Sequence, residues 1–168
     1  EYNVTGFSAS YPGGMETRPG GMETRKDYPE QEYRKLMVEF YKPVKTVADW
    51  SVMKENLTQN YRLYADIDFA YYTSKQIVVG QRDAKSNLIP FEGKVDGNGH
   101  TIKNLIFEEK ATEAAVFPLL TGSVTNLFVE NLQIKSIEKN YNRYRGFVGE
   151  VKSWAVLTNV HVKNADII

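Results

Sequence analysis

The alternation of apolar and polar side chains is clearest in residues 91–107, FEGKVDGNGHTIKNLIF. A Gly-Asn-Gly turn at 97–99 divides this stretch into two runs, because glycine and asparagine tolerate positive φ. Period-two alternation after the turn predicts a strand with two distinct faces. One face would carry Ile102, Asn104 and Ile106, and the other Lys103, Leu105 and Phe107.

The Thr-Asn-Leu pattern recurs further along the chain. The stretches VTNLFVENLQI (124–134) and LTNVHVKNADI (157–167) match over eleven positions, and each follows a short apolar run. Asn104, Asn126 and Asn159 are 22 and 33 positions apart. One coil of a parallel β-helix takes roughly 20 to 30 residues, within the range of solenoid repeats. The repeat therefore predicts a solenoid, in which recurrent asparagines form a ladder or serve as ordinary turn residues. The ladder candidates are Asn126, Asn159, Asn131 and Asn164.

The predicted architecture is mainly β: a right-handed parallel β-helix segment with an N-terminal helix-plus-strand cap and a flexible N-terminal arm. Apolar residues at helical spacing after Thr46 predict a helix over 46–57, and alternation predicts a strand over 61–69. With the loop that follows, they form a cap over 41–90, because a stacked solenoid needs its apolar end covered. The β-helix rungs occupy 91–168, and the last repeat stops midway, which predicts further rungs beyond Ile168.

The first 40 residues differ in character from the rest. PGGMETR at 12–18 is repeated letter for letter at 19–25. A duplication with two glycines and one proline per copy does not build a core, so residues 1–40 are predicted to be an arm or linker.

Composition narrows the range of partners and chemistry. Lys plus Arg and Asp plus Glu each number 21, so no net charge favours nucleic acid as a partner. The chain has no cysteine, which removes disulfides and thiol chemistry. No apolar window is long enough for a membrane span, so none is predicted in this segment. An exported, Tyr-rich β protein fits this composition.

Three carboxylates are the candidates for chemistry. Asp66 and Asp68 are two apart on a predicted strand, and Asp96 would approach them if the first rungs stack. Such a group can hold calcium or flank a glycosidic bond. The alternative is a solvated strand face for the first two and a turn role for Asp96. The two histidines, His100 and His161, have no metal-binding spacing and are predicted to be surface or turn residues.

Residues 135–145, between the second and third repeats, form a charged and Tyr-rich insertion. Aromatic and basic side chains together can form a surface that binds sugars or proteins. The alternative is tyrosine packing over a loop. The candidate ligand contacts are Tyr141, Arg143, Tyr144 and Arg145.

The stretch 91–105, FEGKVDGNGHTIKNL, resembles the F-x-G-x-x-D-G-x-G-H-x-I-x-N-L element of Gram-positive surface proteins. Gly-Phe-Val-Gly at 146–149 resembles the Gly-Leu-Val-Gly element of GLUG-type repeats. With the preceding helix and strand, the region from Tyr41 onward is similar to the part N-terminal to the catalytic domain in IgA1-protease-type (M26) zinc metallopeptidases, and to β-helical adhesins.

This resemblance implies a non-catalytic substrate-binding or scaffold module of a secreted or cell-wall-attached bacterial metallopeptidase that acts on host immunoglobulin. Zinc would belong to the parent protein, because the family's His-Glu-x-x-His motif does not occur in this chain. No catalytic residue, cofactor or metal ligand is carried over. The alternative is an adhesin domain that binds a host protein or glycan. A third hypothesis, a carbohydrate-active β-helix, would use Asp66, Asp68 and Asp96.

Overall fold

The computed structural model describes residues 40–108, 113–135 and 144–167. The chain divides into two units, Glu1–Phe40 and Tyr41–Ile168, and every described residue except Phe40 belongs to the second. Residues 1–39 of the predicted arm, including the duplicated PGGMETR, lie outside the described residues, as do Tyr141 and Arg143.

Strands dominate the described residues. The strands are β1 (Lys42–Val44), β2 (Tyr61–Leu63), β3 (Ile67–Asp68), β4 (Gln81–Arg82), β5 (Leu88–Ile89), β6 (Lys94–Asp96), β7 (Thr101–Phe107), β8 (Ala114–Leu120), β9 (Ser123–Ile134), β10 (Arg145–Val151) and β11 (Val156–Ile167). The helices are α1 (Val47–Ser51), a 3-10 turn at Met53–Glu55 and α2 (Ser74–Ile77).

Successive coils stack through parallel strand pairs. Along one side the order of pairing is β1, β2, β6, β9 and β11, while β3, β7 and β9 pair in the same sheet further along each coil. On another side β8 pairs in parallel with β10. The result is a parallel β-solenoid of about three turns, which confirms the predicted fold class.

Single asparagines bend the long strands at the corners of each coil. Asn126 has a φ of 53° and Asn131 a φ of 58° within β9, and the equivalent residues of β11 share this conformation. Each bend resets the alternation, so buried residues are three apart across an asparagine instead of two: Val124 is followed by Leu127, and Val129 by Leu132.

This reset makes the predicted faces of residues 102–107 wrong. Asn104 has a φ of 60° and turns the chain, so Ile102 lies in the core together with residues predicted for the opposite face. Strict period-two alternation fails here because it assumes an extended backbone at every residue. Ile102, Leu105 and Phe107 are buried, whereas Lys103, Asn104 and Ile106 are half-buried.

The cap has the predicted parts, but they are shorter than expected. Thr46 and Asp49 form a capping box, with the Asp49 amide donating to the Thr46 hydroxyl oxygen at 3.1 Å and the Thr46 amide donating to the Asp49 carboxylate at 3.0 Å. Helix α1 ends at Ser51, where the chain turns through Val52 into the 3-10 segment. Hydrogen bonds from its neighbours hold the Asp49 carboxylate, chiefly from the Lys45 amide.

The predicted strand over 61–69 is divided into β2 and β3. The break at 64–66 is a corner of the first coil. It lies next to the Gly-Asn-Gly corner of the following coil, because β2 pairs with β6 and β3 with β7. The predicted loop after Phe69 contains helix α2 and an antiparallel hairpin of β4 and β5.

An aromatic core joins the cap to the coils. Trp50 is fully buried, and its indole N–H donates to the Ile77 carbonyl oxygen at 2.9 Å. Its ring packs edge-on against Phe69 and Phe117, with centroid distances of 5.9 and 6.2 Å. Phe117 in turn packs against Phe91 at 5.4 Å. The cap therefore covers the apolar end of the coils, as predicted.

Candidate functional site

Two columns of amide side chains run along the solenoid. In the first, the Asp96 ladder, Asn159 donates to the Asn126 side-chain oxygen at 3.0 Å, and Asn126 donates to Asp96 at 3.1 Å. In the second, the Asp68 ladder, the bonds from Asn164 to Asn131, Asn131 to Asn104 and Asn104 to Asp68 measure 3.2, 3.0 and 2.7 Å. The asparagines are thus both turn residues and ladder residues.

The direction of these bonds explains why each ladder begins with an aspartate. Every ladder asparagine donates its amide N–H toward the preceding rung, and Asn104, Asn126 and Asn131 also accept from the following one. The first member only needs to accept, and a carboxylate is the side chain that accepts without donating. Bonds to an ionised acceptor are also stronger than those between neutral groups. Asp68 and Asp96 therefore end the ladders at the cap.

The ladders lower the pKa of both carboxyls. At Asp68 the main cause is the hydrogen bond from Asn104, which favours the ionised form. At Asp96, burial raises the pKa, but hydrogen bonds from Asn126 and the Asn98 amide, together with the Arg62 guanidinium 2.9 Å away, outweigh it. Both pKa values consequently lie below the ordinary range.

We expect these two carboxylates to contribute to acid unfolding. A carboxyl with a lowered pKa stabilises the fold above its unfolded-state pKa of about 3.9, and this contribution is lost as the pH falls through the folded-state value. Replacing both with asparagine should reduce the loss of unfolding free energy between pH 7 and pH 2, by about 0.2–1 kcal/mol for each carboxylate. Urea titrations across this pH range provide the measurement. Identical acid profiles for wild type and D68N/D96N would contradict the expectation.

The three candidate carboxylates are held by different partners. Asp66 accepts from the Thr101 amide at 3.0 Å and lies 3.1 Å from His100 Nδ1, whereas Asp68 and Asp96 begin separate ladders. The hydrogen bond from Thr101 is the main reason that the pKa of Asp66 is lowered. Among the described residues no group of three or more His, Cys, Asp or Glu side chains is placed to hold a metal ion.

A groove of about 470 Å³ lies where three consecutive coils turn on the outer surface. Residue 94 pairs with residue 123, and residue 123 with residue 156, so the groove crosses three rungs of the main sheet. Trp154 lines it with an indole that is 70% exposed. The remaining lining residues are Tyr41, Glu92, Lys94, Thr121, Gly122, Ser123, Thr125 and Val156.

Tyr41 is fixed at this groove by a charged network. The Arg62 guanidinium carbon lies 4.2 Å from the centroid of the Tyr41 ring, a cation–π contact. Arg62 also donates to Asp96 at 2.9 Å, so it contacts both the first member of the Asp96 ladder and the Tyr41 ring of the groove. An aromatic ring positioned in this way loses little conformational freedom when a ligand binds.

The structure describes two of the four predicted contact residues. Tyr144 is half-buried against Gly149, and its carbonyl oxygen accepts from the Ala114 amide at 3.2 Å. Arg145 is exposed at the start of β10, beside Ala114. Neither lines the groove, which sequence reasoning did not predict, because its residues come from turns in separate coils.

These observations define the class of protein as a capped parallel β-solenoid with internal amide ladders and an outer groove. No protein-family model, curated protein or solved structure matched this chain in comparisons with known proteins. The resemblance to metallopeptidase modules and GLUG-type repeats therefore stays a prediction from the sequence. No helix among the described residues has the length and apolarity of a membrane span.

Proposed function

We propose that this chain is a non-catalytic substrate-binding or scaffold module of a secreted, cell-surface bacterial metallopeptidase that acts on host immunoglobulin. The observation that supports the proposal is that residues 91–105, the motif on which the resemblance depends, form a corner of the solenoid next to the cap. Its Gly-Asn-Gly element forms a corner between β6 and β7, where Asn98 and Gly99 have φ values of 53° and 81°. The helix and strand that precede it form the cap.

A rigid module of this kind has a mechanical use in an enzyme with a macromolecular substrate. Stacked coils with a shared core and continuous ladders hold surface loops at fixed distances, and loops on rigid scaffolds often carry binding residues. Arg145 stands exposed at the end of the 135–145 insertion, where β10 begins. The module would bind immunoglobulin there and position it for a catalytic domain elsewhere in the parent protein.

Charge reversal at the insertion tests this proposal. Human IgA1, with IgG as a second bait, is used to capture the 168-residue chain and its R143E/R145E variant. We expect the chain to bind and the variant to bind at least tenfold more weakly, because two attractive charges become repulsive ones. The matched control is K75E/K85E, which makes the same change in net charge at exposed positions of the cap. No capture by either immunoglobulin would contradict a substrate-binding role and leave a passive scaffold, and equal capture of wild type and R143E/R145E would contradict binding at the insertion.

A second candidate function is an adhesin domain without an attached enzyme. The specific observation in its favour is the outer groove with the exposed Trp154, which offers a binding site that requires no catalytic domain. The sequence of the parent protein would distinguish the two functions. A downstream His-Glu-x-x-His motif favours the metallopeptidase, and further rungs followed by a wall anchor favour the adhesin.

A further inference from the structure

The outer groove combines the two kinds of surface that sugars need. Trp154 is largely exposed and lines the groove, and Tyr41 lines it with its ring held by the Arg62 guanidinium. Ser123 and Thr125, which carry hydroxyl groups, line the same groove. A sugar ring has an apolar C–H face that packs on an aromatic ring and a polar edge that hydrogen-bonds to hydroxyls.

Three polar side chains that line the groove are available for such hydrogen bonds. Within the described residues, the Ser123 and Thr125 hydroxyls and the Trp154 indole N–H have no protein hydrogen-bond partner. All three are polar groups on the surface of one concavity. A ligand rich in hydroxyl groups can satisfy them without disturbing the fold.

The backbone of the groove, by contrast, is already used. The Ser123 amide donates to the Gly93 carbonyl oxygen at 3.0 Å, and the Val156 amide donates to the Gly122 carbonyl oxygen at 3.0 Å. An extended peptide that adds to a sheet depends on free main-chain groups for its affinity. In this groove these backbone groups already bond to each other between rungs. A ligand must therefore be recognised by side chains, which favours a glycan over a peptide strand.

The charges and the size of the groove restrict the kind of glycan that would fit. Glu92 and Lys94 contribute one charge of each sign, so the groove favours a neutral chain over a polyanion. A span of three rungs corresponds to about 10 Å at the usual strand spacing. That length and a volume of about 470 Å³ fit a few linked sugar rings and fall within the usual range of ligand sites.

We propose that the outer groove binds a short, neutral glycan chain, with one sugar ring stacked on Trp154 and hydroxyl groups bonded to Ser123 and Thr125. The proposal goes beyond the function proposed above and does not depend on a parent metallopeptidase. The described residues at the end of the 135–145 insertion, Tyr144 and Arg145, do not line the groove. Failure of immunoglobulin capture and failure of glycan binding are therefore separate results.

The test is isothermal titration of the full 168-residue chain with cellotetraose, N-acetylchitotetraose, maltotetraose and xylotetraose, each to millimolar concentration, with a neutral-glycan array run in parallel. We expect at least one glycan to bind, and W154A to weaken its binding at least tenfold. W154F should retain part of the affinity, because the stacking face is preserved. Ser123→Ala should weaken binding less than W154A.

The matched control is Y71A, which removes an aromatic ring that is 96% exposed but lies outside the groove, and which should bind as wild type does. Since Trp154 is largely exposed, W154A should unfold at the same urea concentration as wild type. Three results would overturn the proposal: no glycan bound at millimolar concentration, equal affinity of W154A and wild type, or equal losses in W154A and Y71A.

Discussion

Replacing Gly122 with alanine is expected to lower the free energy of unfolding by about 3 kcal/mol or more, at the upper end for an overpacked site. A Cβ at this position would lie 1.9 Å from the Gly93 carbonyl oxygen and 2.5 Å from that of Glu92. Neither oxygen belongs to a flexible side chain. The Gly93 oxygen is also fixed, because it accepts the Ser123 amide. The two coils would have to separate, and the loss follows from their close contact.

Gly99→Ala is the control that separates steric contact from backbone conformation. Gly99 has a φ of 81°, but a Cβ there would meet no atom within 4 Å. An L-residue in the left-handed region costs roughly 1–2 kcal/mol, so G99A should be clearly milder than G122A. Urea unfolding of both variants measures the difference. Equal losses would contradict the claim that backbone contact between coils makes glycine necessary at position 122.

The repeat could be predicted from the sequence because each rung uses the same residues at the same positions. Val124 and Leu157 pair in register, as do Leu132 and Ala165, and the matched stretches became β9 and β11. The asparagine columns were also visible as candidates. In a solenoid, residues that contact each other between coils recur at a regular spacing in the sequence. A single sequence therefore reveals these long-range contacts, which have no such regular spacing in most other folds.

Which residues of each strand face the core was harder to predict, although the sequence contains a pattern that indicates it. Apolar residues are three apart across each corner asparagine, as from Val129 to Leu132, and this spacing is incompatible with an uninterrupted strand. Applying that rule to Asn104 would have placed Leu105 in the core. The error came from assuming a uniformly extended backbone, whereas asparagine tolerates the left-handed conformation better than other non-glycine residues.

The ends of the ladders and the outer groove could not be predicted from the repeat, because they lie where it is broken. Asp68 occupies a ladder position in a strand that does not carry the Thr-Asn-Leu pattern, and it meets Asn104 only through the pairing of β3 with β7. The groove combines Tyr41 from the cap with Trp154 from the last described turn. No local pattern links residues that distant in sequence.

Replacing Asn104 with aspartate is expected to lower the free energy of unfolding by about 2–3 kcal/mol at pH 7, comparable to losing a hydrogen bond to a charged group. The new carboxylate still accepts from Asn131, and aspartate tolerates the local φ of 60°. It cannot donate to Asp68, however, and two negative charges would face each other across the 2.7 Å contact. The loss should therefore come from the contact with Asp68, through the lost hydrogen bond and the added charge repulsion.

The pH dependence of N104D should be opposite to that of wild type. Facing carboxylates raise the pKa of one of the pair above its unfolded value, and a group with a raised pKa stabilises the fold below that value. The cost of N104D should shrink as the pH falls from 7 toward 4, because a shared proton restores a donor. The wild-type ladder loses stability as the pH falls through the lowered pKa of Asp68.

The double variant D68N/N104D tests whether the two positions act through their shared bond. An amide at position 68 can donate to a carboxylate at position 104, so the bond is rebuilt with its direction reversed, and most of the lost stability should return at pH 7. Urea titrations of both single variants and the double variant give the coupling energy. A pH-independent cost of N104D, or a double variant no more stable than N104D, would contradict the claim that Asn104 acts through its hydrogen bond to Asp68. Recovery in the double variant would instead assign the loss to hydrogen-bond direction, the property that places an aspartate at the start of each ladder.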